Sequence, residues 1–138
     1  MKTISQLAAV NFNIKNLFPG KLFLCFDLTQ GNRKTRIIRA EKGERHPSHS
    51  NAGESTELFG LFARELRKEC GLDIWNVLAD GYDSIGGGCI THAKRGVVKI
   101  EGESGLYGAE KNRLATTKLF STQFPGVTVS TNRSHDSS

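Results

Sequence analysis

The sequence predicts a single α+β domain, and three observations carry that reading. Lys21 to Leu28 is an almost unbroken apolar run, which suits a strand buried on both faces. Asn51 to Cys70 has helical apolar spacing, and Ile85 to His92 and Val97 to Glu103 are strand-like segments joined by a short basic turn. At 138 residues one core is enough, because a chain of this size buries roughly two thirds of the surface its unfolded form exposes.

The elements follow in chain order. Val10, Phe12 and Ile14 alternate with Asn11 and Asn13, the period of a half-buried strand, and Pro19-Gly20 then marks a turn. After the apolar run, Gln30-Gly31-Asn32 turns the chain and Thr35 to Ala40 makes a short strand. Residues 41–53 are polar, contain Pro47 and two glycines, and read as a loop. Asn51 with Glu54 forms a capping box, or Ser55 caps, and a helix runs to about Cys70. Leu58, Phe59, Phe62 and Leu66 share one stripe of it. Glu54 and Glu57 lie near its positive end, Arg64, Arg67 and Lys68 near its negative end, and Gly71 stops it. The turn Ala93-Lys94-Arg95-Gly96 makes a hairpin of the two later strands. Ala109 to Phe124 is helix-compatible, with Leu114, Ala115, Leu119, Phe120 and Phe124 on an apolar face, and Pro125-Gly126 ends it. Val127 to Thr131 is a last strand. The domain is assigned to residues 1–131, and 132–138 is a polar tail expected to be ordered only by a partner.

Composition narrows the function classes. The longest apolar stretch, Leu22 to Phe26, is far too short for a membrane span. Cys25, Cys70 and Cys89 form no CxxC pair and are expected as free thiols in a reducing compartment. No metal or cofactor motif is present: there is no GxxxxGK[ST], and Gly86 to Gly88 lead into Cys-Ile-Thr rather than opening a helix. The first 26 residues carry Lys2, Lys15 and Lys21 but no acid, so a mitochondrial location stands as the alternative to a cytoplasmic one. A net charge of +5 and a pI near 9.3 suit an acidic partner surface or RNA. The aromatic residues, mostly Phe in core-like positions, offer no visible stacking platform for nucleic acid.

Three consecutive glycines inside a strand-like segment call for a reason, since Gly weakens a strand unless a backbone or ligand approaches closely. They belong to a longer pattern: Ile85-Gly-Gly-Gly-Cys-Ile-Thr-His92, then Ile100-Glu-Gly-Glu-Ser-Gly-Leu-Tyr-Gly108, then a helix closing in Phe124-Pro-Gly-Val-Thr-Val129. This pattern resembles the phosphohistidine phosphatase (Janus/Ocnus) family, without a gap across residues 85–129 and more loosely across 9–131. The resemblance implies a mixed, about six-stranded sheet flanked by two α-helices. It also implies a metal-free site in which Lys21, Ser104 and the backbone at Gly105 and Leu106 hold phosphate, with Gly86, Gly87, Gly88, His92, Tyr107 and Gly108 as the structural motif. The competing readings are a solubilising Lys21, a turn or cap Ser104 and a hydrogen-bonded strand histidine at His92.

Two family features are missing. The cation that follows the glycines is Cys89 here, and the helix-start histidine falls, counting back from Gly71, at Thr56. Asn112 stands where the family often has a polar residue early in the second helix. His49, in the preceding loop, is the candidate catalytic replacement, against a solvated loop histidine. The sequence therefore leads first to a degenerate phosphohistidine-phosphatase-like domain. It would have lost catalysis and act as a binding or structural subunit of a larger assembly, with protein partners, RNA or an acidic surface as further candidates, and no DNA. The alternative is an active protein-histidine phosphatase using His49 with Lys21 and Ser104.

Overall fold

β1, Lys21–Gln30, is an interior strand, flanked by β2 (Arg33–Ala40) and β3 (Ile85–Lys94). Its side chains alternate between two cores, which is why nearly every position is apolar. Leu24, Phe26 and Leu28 pack with Leu58, Phe62 and Leu66 of α1 (Asn51–Cys70). Phe23 and Cys25 pack on the other face with Phe120 and Phe124, at the end of α3 (Arg113–Gln123). Each large apolar side chain so buried contributes roughly 1.5–3 kcal/mol. The computed structural model describes residues 1–13, 15, 17, 19–41, 51–94 and 96–131, with backbone alone at 51, 52, 93 and 94.

The fold is α+β, with a mixed sheet in the order β2-β1-β3-β4-β5, where β4 is Val97–Glu101 and β5 is Thr128–Thr131. Only β4 and β5 run parallel; the other neighbours are antiparallel. Gly31, with φ +62°, closes the two-residue turn between β1 and β2 in a conformation that L side chains rarely adopt. The β3/β4 hairpin carries a bulge, its pairing stepping from Ile90 opposite Ile100 to His92 opposite Lys99.

Five strands, not six, are present among the described residues. The segment expected as the first strand makes one isolated parallel bridge, Val10 to Ile38, and Ile14 lies outside the described residues. Asn11 is the reason. Its side-chain oxygen accepts from the Ala40 N–H at 2.9 Å and its amide nitrogen donates to the Ala40 carbonyl at 3.4 Å, so a side chain replaces the next rung of backbone pairing. The alternation nonetheless marked burial correctly: Val10 is buried, and the Phe12 ring lies 5.4 Å from Phe120.

Three α-helices are present among the described residues rather than two, because the single turn α2 (Ile74–Val77) follows Gly71. Asp73 caps it, accepting from the Trp75 N–H at 2.8 Å. The helix expected from Ala109 begins only at Arg113: Asn112 has φ +56°, outside helical space, and caps α3 by accepting from the Ala115 N–H. No described helix is long and apolar enough to cross a membrane.

Candidate functional site

The glycine run is filled from within. A Cβ on Gly86 would meet the backbone of Ala109 and Glu110, and one on Gly88 would lie 2.7 Å from the Glu101 carbonyl and 3.1 Å from the Arg113 guanidinium. That missing volume admits a buried ion pair. Arg113 donates from Nε and a terminal nitrogen to the two Glu110 oxygens, each at 2.8 Å, and also to the carbonyls of Gly102 at 2.7 Å and Gly87 at 3.1 Å. Thr116 donates to the same carboxylate at 2.6 Å and accepts from Arg36, whose other contacts reach Asp27 and the carbonyls of Lys111 and Asn112. The network fastens the segment before α3 across β3. The close approach expected at Gly86 to Gly88 is thus made by the chain's own residues: by residues 101–113 at Gly86 and Gly88, and by Phe23 and Leu24 of β1 at Gly87.

Beside it, Ser104 to Gly108 form one turn. The Gly87 N–H donates to the Gly108 carbonyl at 2.9 Å and the Ser104 N–H to the Gly87 carbonyl at 3.1 Å, extending the edge of β3 beyond β4. The Ser104 hydroxyl is buried and accepts from the N–H groups of Leu106 at 3.3 Å and Tyr107 at 3.1 Å. With both lone pairs engaged, its proton goes to the Ser55 hydroxyl of α1, 2.7 Å away. Ser104 therefore ties the turn to α1 near its start. Replacing it with Ala strands buried donors and is expected to lower unfolding free energy by about 1–2 kcal/mol, read from the urea midpoint.

The remaining candidates are dispersed. Lys21 stands opposite Ile90 at the start of β1, and strand alternation puts its Cβ on the side of Phe23 and Cys25, whereas the Ser104 hydroxyl meets α1. Burial lowers the Lys21 pKa, with Glu41 opposing. Gly105 and Leu106 lie at the tip of the turn, and the Leu106 side chain is exposed. His92, past the bulge, is half-buried opposite Lys99. Thr56 is exposed on α1, and His49 lies outside the described residues.

Cys25, Cys70 and Cys89 are all free. Burial pushes the Cys25 thiol well above its ordinary range, the nearby Glu110 carboxylate adding to it, and burial also raises that of Cys70. Cys89 is half-buried. A thiolate-selective reagent such as DTNB is therefore expected to label Cys89 first in the native protein and to reach the other two only on unfolding.

Two sets of residues escaped the sequence reading. Glu110 and Arg113 resemble an ordinary exposed i, i+3 helix pair, and only the volume missing at the glycines signalled that something large must fill it. Trp75 and Tyr82, each more than half exposed, lie with ring centroids 6.4 Å apart and planes within 17°, an exposed aromatic pair that the sequence pattern does not single out. The sequence matches no protein-family model and no curated protein.

Proposed function

We propose that the chain is a phosphohistidine-phosphatase-like domain that has lost catalysis and serves as a binding or structural subunit of a larger protein assembly. The observation that carries this reading is the commitment of Ser104. A hydroxyl that accepts two backbone N–H groups and bonds to Ser55 has no capacity left for a phosphate oxygen, and those N–H groups are turned toward it. Glu110 and Arg113 support it further by filling the space over the glycines. On this reading the five-stranded sheet is the family's sheet without the ladder of its first strand, and Thr56 and Cys89 replace a base or nucleophile and a cation.

Thr56 titrates far above neutrality and is no substitute for a group of near-neutral pKa at the transferring phosphoryl. Loss of even one electrostatic donor costs about 10²–10³ in rate. Negligible turnover of a phosphohistidine peptide by the purified chain is therefore the expected result. Robust turnover abolished by His49→Ala would establish the active enzyme instead, and turnover insensitive to His49→Ala would reject both assignments.

A further inference from the structure

We propose that the aromatic surface built by Phe59, Trp75, Tyr82 and Tyr107 is the docking site for a protein segment that carries an apolar anchor beside a carboxylate. The proposal rests on the reading of this chain as a binding subunit and names the surface and its partner's chemistry. The four rings form one continuous band: Phe59 to Trp75 at 5.2 Å, Trp75 to Tyr82 at 6.4 Å, Tyr82 to Tyr107 at 5.4 Å and Tyr107 to Phe59 at 6.0 Å. Its inner members, Phe59 and Tyr107, pack on the α1 core. Its outer members stay in solvent, Trp75 at 55% and Tyr82 at 53% exposure, with Leu106 at 44% beside Tyr107 in the chain.

Folding does not require this exposure. α2 already buries Ile74 and Val77 and is capped by Asp73, so Trp75 and Asn76 are the residues it turns outward. Rings braced by one another and by a core lose little freedom when a partner arrives, and Trp, Tyr and Arg are the residues in which binding energy concentrates.

Charge selects the partner. Phe59 and Trp75 border a groove of about 290 Å³ whose walls include Arg64, Arg67 and Asp73. Asp73 is already engaged, by Arg67 at 3.5 Å and by the Trp75 N–H. Arg64, exposed on α1, makes no ion pair among the described residues. The groove thus presents an uncommitted guanidinium next to an apolar floor, which a carboxylate beside an aliphatic or aromatic side chain complements. A polyanion fits less well. Asp80 and Asp83 flank Tyr82 in sequence, Asp83 with only a 3.9 Å contact to Lys111, and any strand of phosphates lying along the band would run past them.

The test is selection of a displayed random-peptide library on the purified full chain, followed by Kd measurement on the enriched peptides. Enrichment should favour Trp, Phe or Leu next to Asp or Glu. Trp75→Ala and Arg64→Glu should each weaken binding at least about tenfold, while Lys118→Glu on the exposed side of α3 should not; both test positions are exposed, and circular dichroism confirms that the variants fold. No enrichment, or binding indifferent to Trp75→Ala, would overturn the proposal. So would Trp75-dependent binding of an oligouridine tighter than that of any peptide, or a Trp75-dependent dimer. Failure of the selection leaves the loss of catalysis standing, whereas phosphohistidine turnover would remove the pseudoenzyme reading without touching this surface.

Discussion

Replacing Arg113 with Ala is expected to lower the unfolding free energy by about 3–5 kcal/mol, because it leaves the Glu110 carboxylate buried with its cation gone. Arg113 and Glu110 are both almost fully enclosed, and their pairing is bidentate. Against a total stability of about 5–15 kcal/mol this is a large fraction, visible as a fall of roughly 2 M in urea midpoint. Arg113→Lys should rescue little. One ammonium cannot span both carboxylate oxygens and the carbonyls of Gly87 and Gly102 that the planar fork serves together. The double variant Arg113→Met, Glu110→Gln removes both charges and should be markedly more stable than Arg113→Ala. If the two variants were equally unstable, the lost hydrogen bonds to the Gly87 and Gly102 carbonyls rather than the stranded charge would be the cause.

The parts of the fold that could be read in advance are those written in periodicity. Burial on both faces of β1, the stripe of α1 and the hairpin of β3 and β4 each follow from where apolar residues recur, and Gly71, with φ +67°, stops α1 where its position suggested. What escaped depends on single side chains doing backbone work. Asn11 ends a ladder that the Val10 and Phe12 alternation predicts to continue, and one turn of helix at Ile74–Val77 is too short to generate a period. At the candidate site, Ser104 was legible as a turn residue, and the structure gives it that role together with the link to Ser55. The Glu110–Arg113 pair was illegible because nothing in an i, i+3 spacing distinguishes a buried pair from a solvated one. Exposure of Trp75 was likewise hidden, since whether a lone Trp faces core or solvent depends on the helix turn that holds it.

Gly87→Ala is expected to destabilise the protein by about 3 kcal/mol, at the upper edge of ordinary overpacking, because the conflict is with main chain rather than with a side chain that can swing away. Gly87 stands opposite Leu24 in the β1/β3 ladder. A Cβ built there runs into the Phe23 carbonyl oxygen, with the Phe23 carbonyl carbon and Leu24 Cδ2 each at 3.0 Å. Phe23 is paired on both sides, with Ala40 of β2 and Gly88 of β3, so its carbonyl can withdraw only by disturbing a ladder in the middle of the sheet. Gly87 also anchors the neighbouring turn through the Gly108 carbonyl, the Ser104 N–H and Arg113, so a shift of β3 is transmitted to each of them. Gly87→Val adds two methyl groups to the same collision and should be worse. Gly60→Ala is the matched control: on α1 its new methyl would find only an Arg64 guanidinium nitrogen at 3.7 Å, and removing a helical glycine should stabilise by about 0.5–1 kcal/mol. Thermal or urea unfolding of the two variants separates these cases by sign. A Gly87→Ala protein with the wild-type midpoint would mean that β3 does not pass β1 in this register, and the seating of the Ser104 turn on the glycines would fall with it.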